Sequence, residues 1–166
     1  MSNPPEFLRR TQKYCEANGL ILGDSLGSGV HGNVFALESQ SEKDRSAIKV
    51  HEREGAYRRE RDVYLRLIEC EVADIRGCAI PEMLRYDDEL WVIEMTIVTR
   101  PFVLDFAGAY LDQAPDFSEE VLVDWRAEKQ EQFGLPWEEV QAILRSLQGF
   151  GVFMVDVNPG NISFGE

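Results

Sequence analysis

Leu26-Gly27-Ser28-Gly29-Val30-His31-Gly32-Asn33-Val34, followed by Ala47-Ile48-Lys49-Val50, decides the fold of this chain. Glycines at 27, 29 and 32 let a backbone turn tightly and approach an anion where a Cβ would collide. The flanks are strand-like: Leu20-Ile21-Leu22 before, and Asn33-Val34-Phe35-Ala36-Leu37 after, ended by Glu38 and Ser39. A dinucleotide-binding fold would follow the same glycines with a helix, so the strand–loop–strand context disfavours it. For the glycines taken alone, a flexible hairpin is the alternative. Lys49 falls on the next strand, where its ammonium offers a point charge to phosphate oxygens.

Working outward, residues 5–18 read as a leading helix ending near Asn18-Gly19. Strands are predicted at 20–26, 32–38 and 45–51, with a polar turn over 39–44. A helix over 54–68 follows. An acidic turn, Asp87-Asp88-Glu89, then precedes a buried strand over 90–95. The second half reads as mainly helical, with a short helix around 103–111. Another helix starts at Ser118, with Val121, Leu122 and Trp125 as its apolar face. The clearest helix opens at Pro136, carries the stripe Val140, Ile143, Leu144 and Leu147, and ends at Gly149. The class is α+β, an antiparallel sheet with one helix over residues 1–95 and a shortened, mainly helical part over 96–166.

The chain has 166 residues and a net charge of −13, which disfavours nucleic acid as a partner because phosphate backbones are bound by basic patches. A nucleotide is compatible, since one lysine, backbone N–H groups and a divalent cation act locally. Arg53, Arg58, Arg59, Arg61 and Arg66 cluster on or next to the 54–68 helix and read as a solvated face. Cys15, Cys70 and Cys78 are odd in number and lack metal-ligand spacing, so they read as reduced thiols, and zinc is not expected. No apolar run reaches membrane-spanning length and no signal pattern opens the chain, so a cytoplasmic protein without membrane contact is expected.

On the 54–68 helix, Ala56, Glu60, Val63, Tyr64 and Leu67 fall on one face. A carboxylate in such a stripe is costly unless paired, and Lys49 on the preceding strand is the candidate partner. The alternative puts Glu60 at the stripe's edge, reaching solvent. Near the end of the chain, the apolar run 151–155 opens into Asp156-Val157-Asn158-Pro159-Gly160-Asn161. Taken alone, these residue types favour a turn.

In this order, the glycine loop, Lys49, Glu60 and the Asp156-x-x-x-x-Asn161 spacing resemble the protein-kinase-like superfamily from about residue 20 to Phe164. The resemblance implies ATP and Mg²⁺ as cofactors. Gly27, Gly29 and Gly32 would cover the phosphates, Lys49 would hold them, and Glu60 would orient Lys49. Leu26, Val34 and Ala47 would pack on adenine, with Ile93 as gatekeeper and Glu94 to Thr96 as the hinge that hydrogen-bonds it. Asp156 would be the base and Asn161 the metal ligand. The Asn-Pro-Gly-Asn wording is closer to small-molecule and atypical kinases of the superfamily.

The departures from that pattern are specific. Met154 and Val155 stand where His-Arg is usual, Asn158 replaces a lysine, and Glu60 follows Lys49 at a short interval. The Asp-Phe-Gly metal segment expected about a dozen residues after Asn161 is missing, and Ser163-Phe164-Gly165 matches it in letters only. Glu166 or a partner chain would have to supply the acid. Three functions stay open: an ATP-dependent phosphotransferase, a pseudokinase-type binding or regulatory module, and a truncated kinase. The second would act through a protein partner or homodimer covering apolar surface around the 137–149 helix.

Overall fold

The computed structural model describes residues 3–165; Glu166 lies outside the described residues. In chain order the helices are α1 (Glu6–Asn18), α2 (Glu54–Glu69), α3 (Glu119–Phe133) and α4 (Trp137–Gln148). The longer strands are β1 (Leu22–Gly29), β2 (Gly32–Leu37), β3 (Ser46–His51), β6 (Met83–Asp87) and β7 (Val92–Thr96). Two-residue strands complete the set: β4 (Asp74–Ile75), β5 (Cys78–Ala79), β8 (Phe102–Val103), β9 (Tyr110–Leu111), β10 (Val152–Phe153) and β11 (Ile162–Ser163). The class is α+β. No described helix is long and apolar enough to cross a membrane.

The chain divides into two compact units. The first runs to Arg61 and resumes over Pro81–Ile97; the second holds Asp62–Ile80 and everything from Val98 onward. The later division falls after Ile97, and the segment from Asp62 to Ile80 belongs to the second unit, so α2 contributes to both.

The first unit is a five-stranded antiparallel sheet in the order β1-β2-β3-β7-β6. Because side chains alternate across a strand, the register sorts residues by face. Val34 pairs with Lys49, Ala36 with Ala47, Lys49 with Ile93, and Ala47 with Met95, which puts these residues on one face. Phe35, Ile48 and Glu94 take the other. That second face carries α1, whose Tyr14 and Cys15 join Leu37, Ile48, Val50, Leu90 and Val92 in one buried cluster. Gly19 ends α1 in the left-handed conformation, φ 64°, which glycine adopts without a Cβ penalty.

The second unit contains the C-terminal half of α2, α3, α4 and two small sheets, β10-β9 and β11-β8-β5-β4. Ser118 caps α3 through its hydroxyl, which accepts from the Val121 N–H at 3.3 Å. Val121 itself is half-exposed, so the expected apolar face of α3 is incomplete; Lys129 and Phe133 are its buried residues. In α4 the expected stripe holds: Val140, Ile143, Leu144 and Leu147 are buried, with Trp137.

The helix expected around 103–111 is replaced by β8, a turn and β9. Asp105 has φ 68°, which interrupts any helix through it. Val103, Phe106, Ala107 and Ala109 are buried within this irregular segment. Val103 pairs with Ile162, and the Leu104 N–H donates to the Asn161 carbonyl at 2.9 Å. All three cysteines are free, Cys15 and Cys78 buried and Cys70 exposed.

Candidate functional site

In the first unit the glycine segment is a tight hairpin. Gly29 faces Gly32, Ser28 faces Asn33 and Gly27 faces Val34, leaving Val30 and His31 at the tip. Val30 is almost fully exposed. A register shift between Ser25 and Gly27 leaves Leu26 half-exposed at a bulge, where an extra residue bends the strand.

The three glycines differ in what the fold requires of them. A Cβ on Gly32 would collide with the Val50 carbonyl oxygen of the neighbouring strand. A Cβ on Gly27 or Gly29 would meet nothing within 4 Å. Packing therefore explains Gly32, whereas Gly27 and Gly29 leave open backbone beside which another molecule could approach closely.

Lys49 lies on β3, the strand next to this hairpin, and α2 brings Glu60 to it: Nζ is 2.7 Å from Oε2, with both side chains buried. The expected Lys49–Glu60 pair is present, and Glu60 does not reach solvent. His51, two residues along and so on the same face, adds a second donor position, with Nε2 2.9 Å from the same Oε2. Its Nδ1 lies 3.1 Å from the Trp91 carbonyl, and Tyr57 packs edge-on against the ring at 5.5 Å. Burial pushes the Glu60 carboxyl upward, but the Lys49 charge and the His51 contact outweigh it and hold the pKa down to about 2. Glu60 is thus a fixed anion that anchors a buried ammonium.

The residues assigned to adenine divide. Val34 and Ala47 stand on the Lys49 face, and Ile93 sits directly across from Lys49. Glu94 turns to the opposite face, where its carboxylate accepts from the Tyr14 hydroxyl and the Arg85 Nε, each at 2.8 Å. Burial and that hydrogen bond raise the Tyr14 phenol well above its ordinary value. Thr96 donates its N–H to the Glu82 carbonyl at 2.9 Å and accepts the Glu82 N–H through its hydroxyl at 2.9 Å. The Glu94 side chain and these Thr96 groups, expected at a hinge, are committed within the sheet and to α1.

In the second unit the Asp156–Asn161 segment is a closed loop. The Asn161 Nδ2 donates to the Asp156 carbonyl at 2.9 Å, and its Oδ1 accepts from the Asn158 N–H at 2.8 Å. The Asn158 Oδ1 in turn accepts from the Gly160 N–H at 2.8 Å. Val157 is fully buried, which pins the loop, while Asp156 is exposed. Asn161 is buried and acts first as the staple of this turn; its amide oxygen keeps one further lone pair. Among the described residues no group of three His, Cys, Asp or Glu could hold a metal ion. A Mg²⁺ here would fit only as an ion carried on phosphates and water, with Asn161 or Asp156 as single ligands.

His51 is the residue that the sequence reading passed over. Its signal was the i, i+2 spacing from Lys49, which puts both on the face toward the helix that carries Glu60. No protein-family model matches the chain, and no curated protein sequence matches it.

Proposed function

We propose that the chain binds a nucleoside triphosphate, ATP, on the Lys49 face of its five-stranded sheet and, as a kinase-like phosphotransferase, passes on the terminal phosphoryl group. The observation that supports this most is the buried Lys49–Glu60–His51 cluster on the strand next to a hairpin whose Gly27 and Gly29 the fold does not itself require. The Lys49 ammonium, buried and anchored at 2.7 Å by Glu60, is the cation that would meet the phosphate oxygens.

On this proposal Lys49 binds phosphate, Glu60 and His51 hold Lys49, and Leu26, Val34 and Ala47 form the apolar seat of the base. Asp156 accepts the proton of the attacking hydroxyl. Asn161 is the residue that would hold Mg²⁺, which would supply charge neutralisation for the transfer. Lys49 is supported in its role by the buried contact with Glu60, and Asn161 by the one lone pair that its turn leaves on the amide oxygen.

A thermal-shift titration with ATP, with and without Mg²⁺, tests the binding step. Ligand at a hundred times its Kd stabilises by about 2.7 kcal/mol, enough to move the melting point by several degrees. Lys49→Arg keeps the charge beside Glu60 and should keep the fold while losing the shift. Absence of any shift in the wild-type protein refutes nucleotide binding. Phosphate release that disappears in Asp156→Ala supports turnover; binding without Asp156-dependent release would leave a nucleotide-binding module.

A further inference from the structure

The second unit holds a cavity of about 730 Å³ between α3, α4 and the segment leading into Asp156. Its walls are aromatic and already fixed. The Trp125 indole N–H donates to the Val155 carbonyl at 3.0 Å, Trp137 meets the Trp125 ring edge-on at 6.0 Å, and Phe133 stacks on Trp137 at 5.9 Å. Rings held in this way present flat apolar surface without losing further freedom when a ligand arrives.

The charged lining runs against the character of the chain. The protein as a whole carries −13, yet Arg126, Lys129 and Arg145 line this cavity against a single carboxylate, Asp156. Lys129 is buried and already engaged, its Nζ 3.2 Å from the Gln132 Oε1 and 3.6 Å from the Glu128 carboxylate. Arg126 and Arg145 make no ion pair or side-chain hydrogen bond among the described residues. Elsewhere in the same unit Arg66 and Arg76 are clamped to Asp112 and Glu139, so guanidinium groups with acceptors in reach do pair here. Two unpaired planar forks in one apolar-walled cavity are suited to a carboxylate or phosphate.

We propose that this cavity binds a small organic anion with a planar apolar body, its ring against Trp125 and Trp137 and its charge at Arg126 and Arg145. Binding of this kind does not depend on the nucleotide proposal. The further role, as the acceptor subsite beside Asp156, rests on that proposal and would make the acceptor a hydroxyl-bearing aromatic acid or phosphate ester.

The test titrates the full chain with 2-naphthoate, following tryptophan fluorescence, against (2-naphthylmethyl)trimethylammonium and 2-naphthalenemethanol. Saturable 2-naphthoate binding is expected, at least about tenfold tighter than for the cation or the alcohol, a margin worth about 1.4 kcal/mol. The double variant Arg126→Gln/Arg145→Gln, both at exposed positions, should weaken it by a similar factor with unchanged circular dichroism. Equal affinity for all three probes, an unaffected double variant, or no saturation up to about 10 mM would overturn the proposal. The ATP melting shift is read separately. Naphthoate binding without that shift removes the acceptor role and keeps the anion site, while the shift without naphthoate binding removes the anion site alone.

Discussion

Lys49 and His51, two residues apart on β3, approach the same oxygen of Glu60, at 2.7 and 2.9 Å. Strand alternation puts both on one face, and α2 presents the carboxylate between them. Two donor positions on one oxygen mean that Glu60 does not rely on Lys49 alone for compensation. If phosphate draws the ammonium away, His51 still holds the carboxylate in place.

Glu60→Gln should expose how much of the first unit's stability this arrangement carries. The amide fills the same space but takes away the carboxylate that the buried Lys49 ammonium sits against at 2.7 Å. Removing one partner of a buried pair costs about 3–5 kcal/mol, which urea unfolding followed by circular dichroism would measure. The double variant Glu60→Gln/Lys49→Met should cost less than the sum of the single changes, because both members of the contacting pair are then removed together. Strict additivity would mean that the two side chains are not coupled.

The same carboxylate sets a pH dependence. Its folded pKa, about 2, lies below the ordinary carboxylate value of the unfolded chain, so the folded state binds fewer protons in that window. The stabilisation is fully present above roughly pH 5 and is lost as pH falls from there toward 2. Stability measured by urea midpoint at pH 7, 5, 4 and 3 should drop across this range in the wild-type protein. Glu60→Gln should show a shallower decline. Parallel curves for the two proteins would remove Glu60 as a cause of the acid sensitivity.

Much of the first unit is legible in the sequence because its signals are local. The glycine spacing marks the hairpin, the strand-like run over 45–51 marks β3, and a charged residue in the α2 stripe demands a partner. The commitments of Glu94 were not legible, because Tyr14 and Arg85 meet it from a helix and a strand distant in sequence. The 103–111 segment, expected as a short helix, has left-handed backbone at Asp105, which breaks any helix through it. Its two ends are instead tied into sheets, Val103 to Ile162 and Tyr110 and Leu111 to β10, which no local pattern announces. In the loop, the Asn161 staple follows from the turn-forming composition of residues 156–161. The cationic lining of the α3–α4 cavity does not, because the two helices must pack before Arg126 and Arg145 share a wall.

The glycines of the hairpin should separate into two classes on substitution. Gly32→Ala forces a Cβ onto the Val50 carbonyl and should destabilise by about 1–3 kcal/mol. Gly27→Ala and Gly29→Ala meet open space and should change stability by no more than about 0.5 kcal/mol. If nucleotide binds beside the hairpin, Gly29→Ala should reduce the ATP melting shift while the unliganded melting point stays put. Full retention of the ATP shift in Gly29→Ala would separate the glycine from any role in binding.

Tyr14 gives the protein an alkaline limb. Burial and the hydrogen bond to Glu94 raise its folded pKa above the ordinary phenol value near 10, so the folded state keeps a proton that the unfolded chain releases. The stabilisation is complete below about pH 10 and declines as pH rises beyond it. Tyr57, raised by burial and by its hydrogen bond to Asp88, acts in the same direction. Tyr14→Phe removes the hydroxyl and leaves Glu94 with Arg85 as its remaining side-chain donor, at a cost of about 1–3 kcal/mol near neutral pH. Above pH 10 the gap between variant and wild type should narrow, because the variant has no Tyr14 proton to lose. Urea midpoints at pH 8, 9.5 and 11 provide the comparison, and a gap that widens with pH would show that Tyr14 is not held neutral by Glu94.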